Sequence, residues 1–295
     1  MIISASRRTD IPAFYSQWLR NRLEAGFCMV PNPFNRNQVT RVSLLPDDVD
    51  AMVLWTRDPR PIMPLLDGMQ RLHYRTVFLL TLNAYTAPLE PHSPPQQQAV
   101  AAFHQLAGRI GPQCLTWRYD PIVLGPGLEV DDHLRRFAQL ARELRGATAR
   151  VKISMVDLYR KTRRRLSRMS QGERFLVDPI TSAELPDLVR GLSELANANG
   201  MELSTCAEEQ DFTSLGAPPG RCIDAEWLAG LFGRPFPITK DKGQRRHCWC
   251  APSRDIGMTD TCLHGCTYCY ATRSHGAAVA NHRRHDTMSP SLLPL

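Results

Sequence analysis

Ala51-Met52-Val53-Leu54-Trp55-Thr56-Arg57-Asp58-Pro59 sets five consecutive apolar side chains against a polar turn. A helix-like stretch follows, with Ile62, Leu65, Leu66, Met69 and Leu72 at helical spacing. A strand buried on both faces reads this way, because it has no solvent side to alternate with. The unit recurs. Residues 77–82, 115–117, 151–156 and 201–206 are short strand-like runs that end in polar groups. Helical periods over 96–110, 131–144 and 192–198 lie among them. Upstream, residues 2–6 read as a strand and 14–25 as a helix closed by Gly26. Residues 27–30 and 39–45 read as short strands around a Pro/Asn-rich turn.

This β-α alternation predicts an α/β protein with a parallel sheet and helices outside it. Six or more units favour a partial or full (β/α) barrel over an open doubly wound sheet. Chemistry in such a barrel sits in the loops after the strands. The groups to watch are therefore Ser6, Arg7, Arg8 and Asp10; Thr56 and Arg57; Asn83; Arg118 and Asp120; Ser154; and Glu208. Arg8, Asp10 and Asp120 are the catalytic candidates. An equal reading of Asp120 is a structural ion pair with Arg118. Ser6, Arg7, Arg8, Thr56 and Ser154 are the candidate cofactor pocket, chosen by position at strand ends. With no internal repeat or long linker, residues 1–240 read as the barrel core. Residues 241–295 read as a cysteine-rich segment that completes it.

The 295 residues are 43% hydrophobic and 22% charged, which excludes the disordered class. The net charge is +7 and the pI about 9.1, which suits anionic partners, nucleic acid among them. An ordinary basic surface fits equally well. Arg160, Lys161, Arg163, Arg164, Arg165 and Arg168 crowd one predicted helix, either solvated or a phosphate-contacting patch. No stretch approaches the roughly 18 consecutive apolar residues that span a bilayer. The first residues lack the pattern of a secretory signal, so the expected location is cytoplasmic and no membrane partner is expected. Nine cysteines in a reducing compartment are better metal ligands than disulfide partners. There is no P-loop, G-x-G-x-x-G, G-x-S-x-G or H-E-x-x-H pattern.

Cys262, Cys266 and Cys269 are spaced C-x3-C-x2-C, with Tyr268 and Tyr270 on either side of the third. A structural zinc usually takes four ligands, whereas this loop is complete at three. An iron–sulfur cluster held by three thiolates keeps one iron free of protein. The spacing favours the cluster and leaves zinc as the alternative. Gly265 lets the backbone wrap closely. His264 reads as a filler or hydrogen-bond donor in the loop. Cys206, Cys222, Cys248 and Cys250 form a second set whose four thiolates could close a site, as a second 4Fe-4S cluster or zinc. Cys28 and Cys114 read as small buried hydrophobes. The His282-Arg283-Arg284-His285 tail reads as a disordered basic end.

The run Thr261-Cys262-Leu263-His264-Gly265-Cys266-Thr267-Tyr268-Cys269-Tyr270-Ala271 resembles the cysteine signature of the radical S-adenosylmethionine superfamily. That resemblance implies a 4Fe-4S cluster whose open iron chelates S-adenosylmethionine. It also implies reductive cleavage to a 5′-deoxyadenosyl radical, on a partial or full β/α barrel. An electron donor such as a flavodoxin or ferredoxin, an unknown substrate, and Tyr268 in the cofactor pocket belong to the same expectation. The whole chain resembles a bacterial family of unknown function with a C-terminal cysteine cluster of this kind. Residues 4–12, Tyr119-Asp120-Pro121-Ile122, Cys206-Ala207-Glu208-Glu209, Cys222-Ile223-Asp224 and residues 240–270 carry that match. In the superfamily the cysteine loop usually follows the first strand, whereas here it comes late. The expectation is a circular permutation, with 256–259 as the strand before the loop and 271–280 as the helix after it. The N-terminal strand would lie next to them, bringing Arg7, Arg8 and Asp10 to the cluster. The alternative function is a non-catalytic iron–sulfur or zinc protein that binds nucleic acid through its basic surface.

Overall fold

The computed structural model describes residues 1–35, 37–168 and 178–295. β1 (Ile2–Ala5), α1 (Ile11–Phe14) and α2 (Ser16–Ala25) come first. An antiparallel hairpin of β2 (Phe27–Pro31) and β3 (Val39–Ser43) follows. Strands and helices then alternate through β4 (Ala51–Thr56), α3 (Met63–Arg71), β5 (Thr76–Thr81), α4 (Gln96–Ile110), β6 (Leu115–Ile122), α5 (Val130–Glu143) and β7 (Arg150–Met155). After α6 (Arg160–Ser167) and α7 (Leu185–Ala198) come β8 (Glu202–Cys206), β9 (Pro219–Gly220), α8 (Ala225–Phe232), β10 (Ser253–Asp255) and α9 (His275–His282).

Eight strands make one parallel sheet in the order β10-β1-β4-β5-β6-β7-β8-β9. From β1 to β9 the spatial order follows the chain order. Right-handed crossovers that all step the same way put their helices on one face. The other face must curl to close on itself, and the sheet is a partial barrel. A doubly wound sheet would reverse its strand order, and this one does not.

The alternation of side chains along the strands separates two cores. Ile3, Met52, Leu54, Phe78, Leu80, Trp117 and Ile153 face outward and pack with Leu66, Phe103, Phe137 and Leu192 of the helices. Ile2, Ala51, Val53, Trp55, Val77 and Leu79 face inward. There they meet Ile223, Leu228 of α8, and the buried cysteines 206, 222, 248 and 250. The concave face is therefore plugged at one side by α8 and the cysteine-rich segment. At roughly 1.5–3 kcal/mol per large apolar side chain, both faces hold the sheet.

Some boundaries move. The strand expected at 256–259 lies at Ser253–Asp255, with Ile2 opposite Ser253 and Ser4 opposite Asp255. Ile256 N adds one bond to Ser4 O (3.0 Å) before the chain leaves the sheet. The helix expected at 271–280 starts later, at His275, where Ser274 Oγ accepts from Ala277 N (3.1 Å). Residues before it wrap the Asp260 carboxylate instead, which pairs with Arg273 (2.7 Å). The helix expected over 14–25 breaks at Tyr15, leaving α1 and α2. Gly26 ends α2 at φ +74°, where a side chain would be strained. The basic tail is packed: the Tyr15 ring meets His285 edge-on at 4.7 Å, and His285 Nδ1 donates to Leu292 O (2.7 Å). Among the described residues, no helix is long and apolar enough to cross a membrane.

Candidate functional site

Asp255, the last residue of β10, ties the cysteine-bearing segment to the first loop of the chain. Its carboxylate accepts from Ser4 Oγ (2.9 Å), Ser6 Oγ (2.7 Å), Arg7 N (2.7 Å) and Gly257 N (3.0 Å). Gly257 has no room for a side chain, because a Cβ there would sit 2.0 Å from Ser6 Oγ. Asp10 is equally committed. It caps α1 through Ala13 N (2.9 Å), accepts from Arg57 N (2.8 Å) and meets His264 Nε2 at 2.8 Å. His264 Nδ1 faces His92 O at 3.3 Å. Both ring nitrogens of His264 are thus turned to oxygens rather than to sulfur.

The three-cysteine loop closes over this junction. Gly265 turns at φ +68°, and a Cβ there would strike His92 and His275 at 2.9 and 3.1 Å. Thr267 N pins the loop to Leu89 O (2.9 Å). Cys266 is buried, while Cys262 and Cys269 are half-buried. Arg57 lies beside Cys266, paired with Glu90 (2.9 Å) and donating to Tyr268 Oη (2.5 Å). Tyr268 in turn donates to Glu90. Burial pushes the Cys266 thiol up to about 12, with the Arg57 guanidinium pulling the other way. Burial, then the Asp10 charge, pushes Cys262 well above the usual thiol range. Without a metal these thiols hold their protons, and a metal would displace them.

The second set gathers at the end of β8. Cys206 and Cys222 bring their sulfurs to 3.0 Å, and Ile223 N donates to Cys250 Sγ (3.3 Å). Hydrogen bonds from Cys222 and Cys248 hold the Cys250 thiol far below its usual value. Cys222 likewise lowers Cys206, and the two donors are raised in return. Cations surround this set. Arg7 reaches Cys250, and Arg118 and Lys152 act on Cys206. Lys152 is buried and donates to Ser204 Oγ (2.7 Å), with no carboxylate paired to it among the described residues.

Between the two sets lies one cavity of about 330 Å³, at the carboxyl ends of the strands. Trp55 stands in its wall with Arg7 at 5.3 Å and Arg118 at 4.8 Å from the ring. Arg118 pairs with Asp120, whose other oxygen accepts from Ser154 Oγ (2.5 Å). All seven cysteines line the cavity. So do Ser6, Arg7, Arg8, Asp10, Thr56, Asp120, Ser154 and Tyr268. Thr56 Oγ1 also accepts from Asp58 N (2.9 Å), and Arg8 N donates to Ser6 Oγ (2.9 Å). Asn83 lies outside the lining, holding Asp120 N and O (2.8 and 3.1 Å). Glu208 also lies outside it, accepting from Met155 N (2.8 Å) and pushed up to about 7 by burial.

Sequence reading missed Asp255, Trp55, Glu90 and Lys152 as site groups. Only Lys152 carried a signal, as a charge inside the apolar strand Val151-Lys152-Ile153. Glu90 sits in a proline-rich loop with no periodicity to mark it. Among the described residues, no three of His, Cys, Asp and Glu are arranged to hold a single metal ion.

Fold and site together define an α/β partial barrel whose candidate centre is a cysteine-lined cavity at the strand ends. The chain belongs to the DUF1848 family, a domain of unknown function, which it matches over residues 2–271. No curated protein and no solved structure matches it.

Proposed function

We propose that the chain is a cytoplasmic iron–sulfur enzyme of the radical S-adenosylmethionine type, acting on an anionic substrate. One observation carries this reading: Cys262, Cys266 and Cys269 share a cavity with Arg7, Arg8, Arg118 and Asp120. The donor set suits a 4Fe-4S cluster with an open iron, because it is three thiols and His264 is engaged elsewhere. When bound, such a cluster supplies the electron that cleaves S-adenosylmethionine.

The chain's own groups have separate tasks. Arg57, locked to Glu90 and Tyr268, sets a positive charge against Cys266 and favours its thiolate. Asp10 is a positioning residue that fixes His264 and the Arg57 backbone. Ser6, Arg8 and Thr56 edge the space for the cofactor. Arg118 and Ser154 hold the Asp120 carboxylate in place, and Arg7 and Arg118 flank Trp55 where an anionic substrate would sit. The four-cysteine set is a second centre that would take a second cluster, whose negative charge Arg7, Arg118 and Lys152 offset. The sheet order supports a circular permutation: β10, which leads into the cysteine loop, stands before β1 at the sheet edge.

Anaerobic reconstitution tests the proposal. The expected product is brown, with roughly four irons at the triplet site, and Cys266→Ala removes that iron and its colour. The dithionite-reduced protein gives an electron paramagnetic resonance signal that shifts when S-adenosylmethionine is added. A colourless protein that binds only zinc sinks the cluster. A cluster whose signal ignores S-adenosylmethionine sinks the enzyme reading.

A further inference from the structure

Among the described residues, a second cavity, of about 310 Å³, is lined by six cationic side chains: Arg160, Lys161, Arg164, Arg165, Arg168 and Arg273. Thr162 and Leu166 of α6 are buried and turn the rest of the helix outward. Arg273 pairs with Asp260. Among the described residues, Arg160, Lys161, Arg164 and Arg168 make no ion pair. Like charges this close repel one another, so the cavity favours an anionic occupant.

Its location narrows the choice. Arg165 donates to the carbonyl oxygens of Cys269 and Thr272 (3.0 Å for the latter). The cationic hollow is therefore one side chain away from the third cysteine of the loop. We propose that this face docks an acidic one-electron carrier protein, such as a reduced flavodoxin. This rests on the cluster assigned above. Among the described residues, the hollow is formed by one helix and one turn, a compact footprint rather than a track. One electron leaves the flavodoxin hydroquinone, which becomes the semiquinone, and the cluster is reduced by one. No bond forms or breaks at the surface.

The test compares the wild-type holoprotein with Arg160→Glu/Arg164→Glu/Arg168→Glu, which leaves Arg165 in place. Oxidised flavodoxin binding is read by calorimetry, and cluster reduction by stopped-flow with either flavodoxin hydroquinone or dithionite. The expected result is normal iron content, unchanged reduction by dithionite, and flavodoxin binding and reduction weakened about tenfold or more at low salt. The wild-type flavodoxin rate falls as salt rises, whereas the variant rate is flat. Arg164→Gln alone gives a smaller loss in the same direction, guarding against misfolding of the triple variant. Wild-type flavodoxin kinetics in both variants overturn the proposal. Loss of RNA oligonucleotide binding with flavodoxin binding intact overturns it too, and assigns the face to nucleic acid. Failure of the cluster reading shows separately, as absent iron in a protein whose flavodoxin binding still depends on these arginines.

Discussion

At Asp255, one carboxylate gathers four donors from two parts of the chain that are far apart in sequence. Its removal leaves Arg7 N and Gly257 N without their acceptor beside a half-buried strand end. Bonds to a charged acceptor contribute about 1.5–3 kcal/mol each, and they do not add fully. Asp255→Ala is expected to lower the unfolding free energy by about 3 kcal/mol, measured by urea denaturation. Asp255→Asn should recover part of that. An Ala variant as stable as wild type would show that the β10–β1 junction does not depend on this carboxylate. Cys266→Ala belongs to the same scale: on the proposed function it removes one of three cluster ligands.

Elements are where the sequence was most legible. β4 was readable because a strand buried on both faces must be apolar throughout, and α4 because its period is unbroken. β10 was misplaced because its residues, Ser253-Arg254-Asp255, carry no apolar pattern and join β1 through backbone bonds and polar side chains. The site was legible where chemistry concentrates in rare residues: the cysteines, and the polar groups after apolar strands. Trp55 and Glu90 stayed hidden, since tryptophan ending an apolar run reads as core and a loop glutamate reads as surface. α5 offers a further prediction. His133 is buried on it between Tyr119 Oη (2.7 Å) and Val123 O (2.9 Å). Burial lowers it from 6.5 to about 4. The unfolded chain therefore binds the extra proton between those values, so stability is full above about pH 6.5 and is lost as pH falls toward 4. The loss amounts to about 3 kcal/mol. Denaturant titrations at pH 7 and pH 5 should show about 2 kcal/mol of it, and His133→Gln should flatten the profile. An unchanged pH slope in that variant would place the acid sensitivity elsewhere.

On the scale of the whole molecule, residues 286–295 act as a strap across α2. Trp18 Nε1 donates to Ser289 O (3.0 Å), Arg22 to Met288 O (3.0 Å) and Asn21 to Thr287 O (2.9 Å), while Leu292 and Leu293 are buried. Deleting 286–295 should lower stability by about 3 kcal/mol or more from the two leucines alone, read as a fall in melting temperature. The iron uptake proposed for the three-cysteine loop should survive, since no cysteine is removed. Loss of both would mean that the strap also holds the loop. The pairing of β10 with β1 has a different consequence, in the order of synthesis. Ser4 and Asp255 are 251 residues apart. As the chain leaves the ribosome, β1 can join β4 early, but its other edge stays unpaired until β10 arrives. Non-local pairings of this kind are slow and leave strand edges open to wrong partners. On the proposed function, the cluster site is complete only once Cys269 has left the ribosome, and nascent chains stalled before residue 253 should aggregate through that open edge.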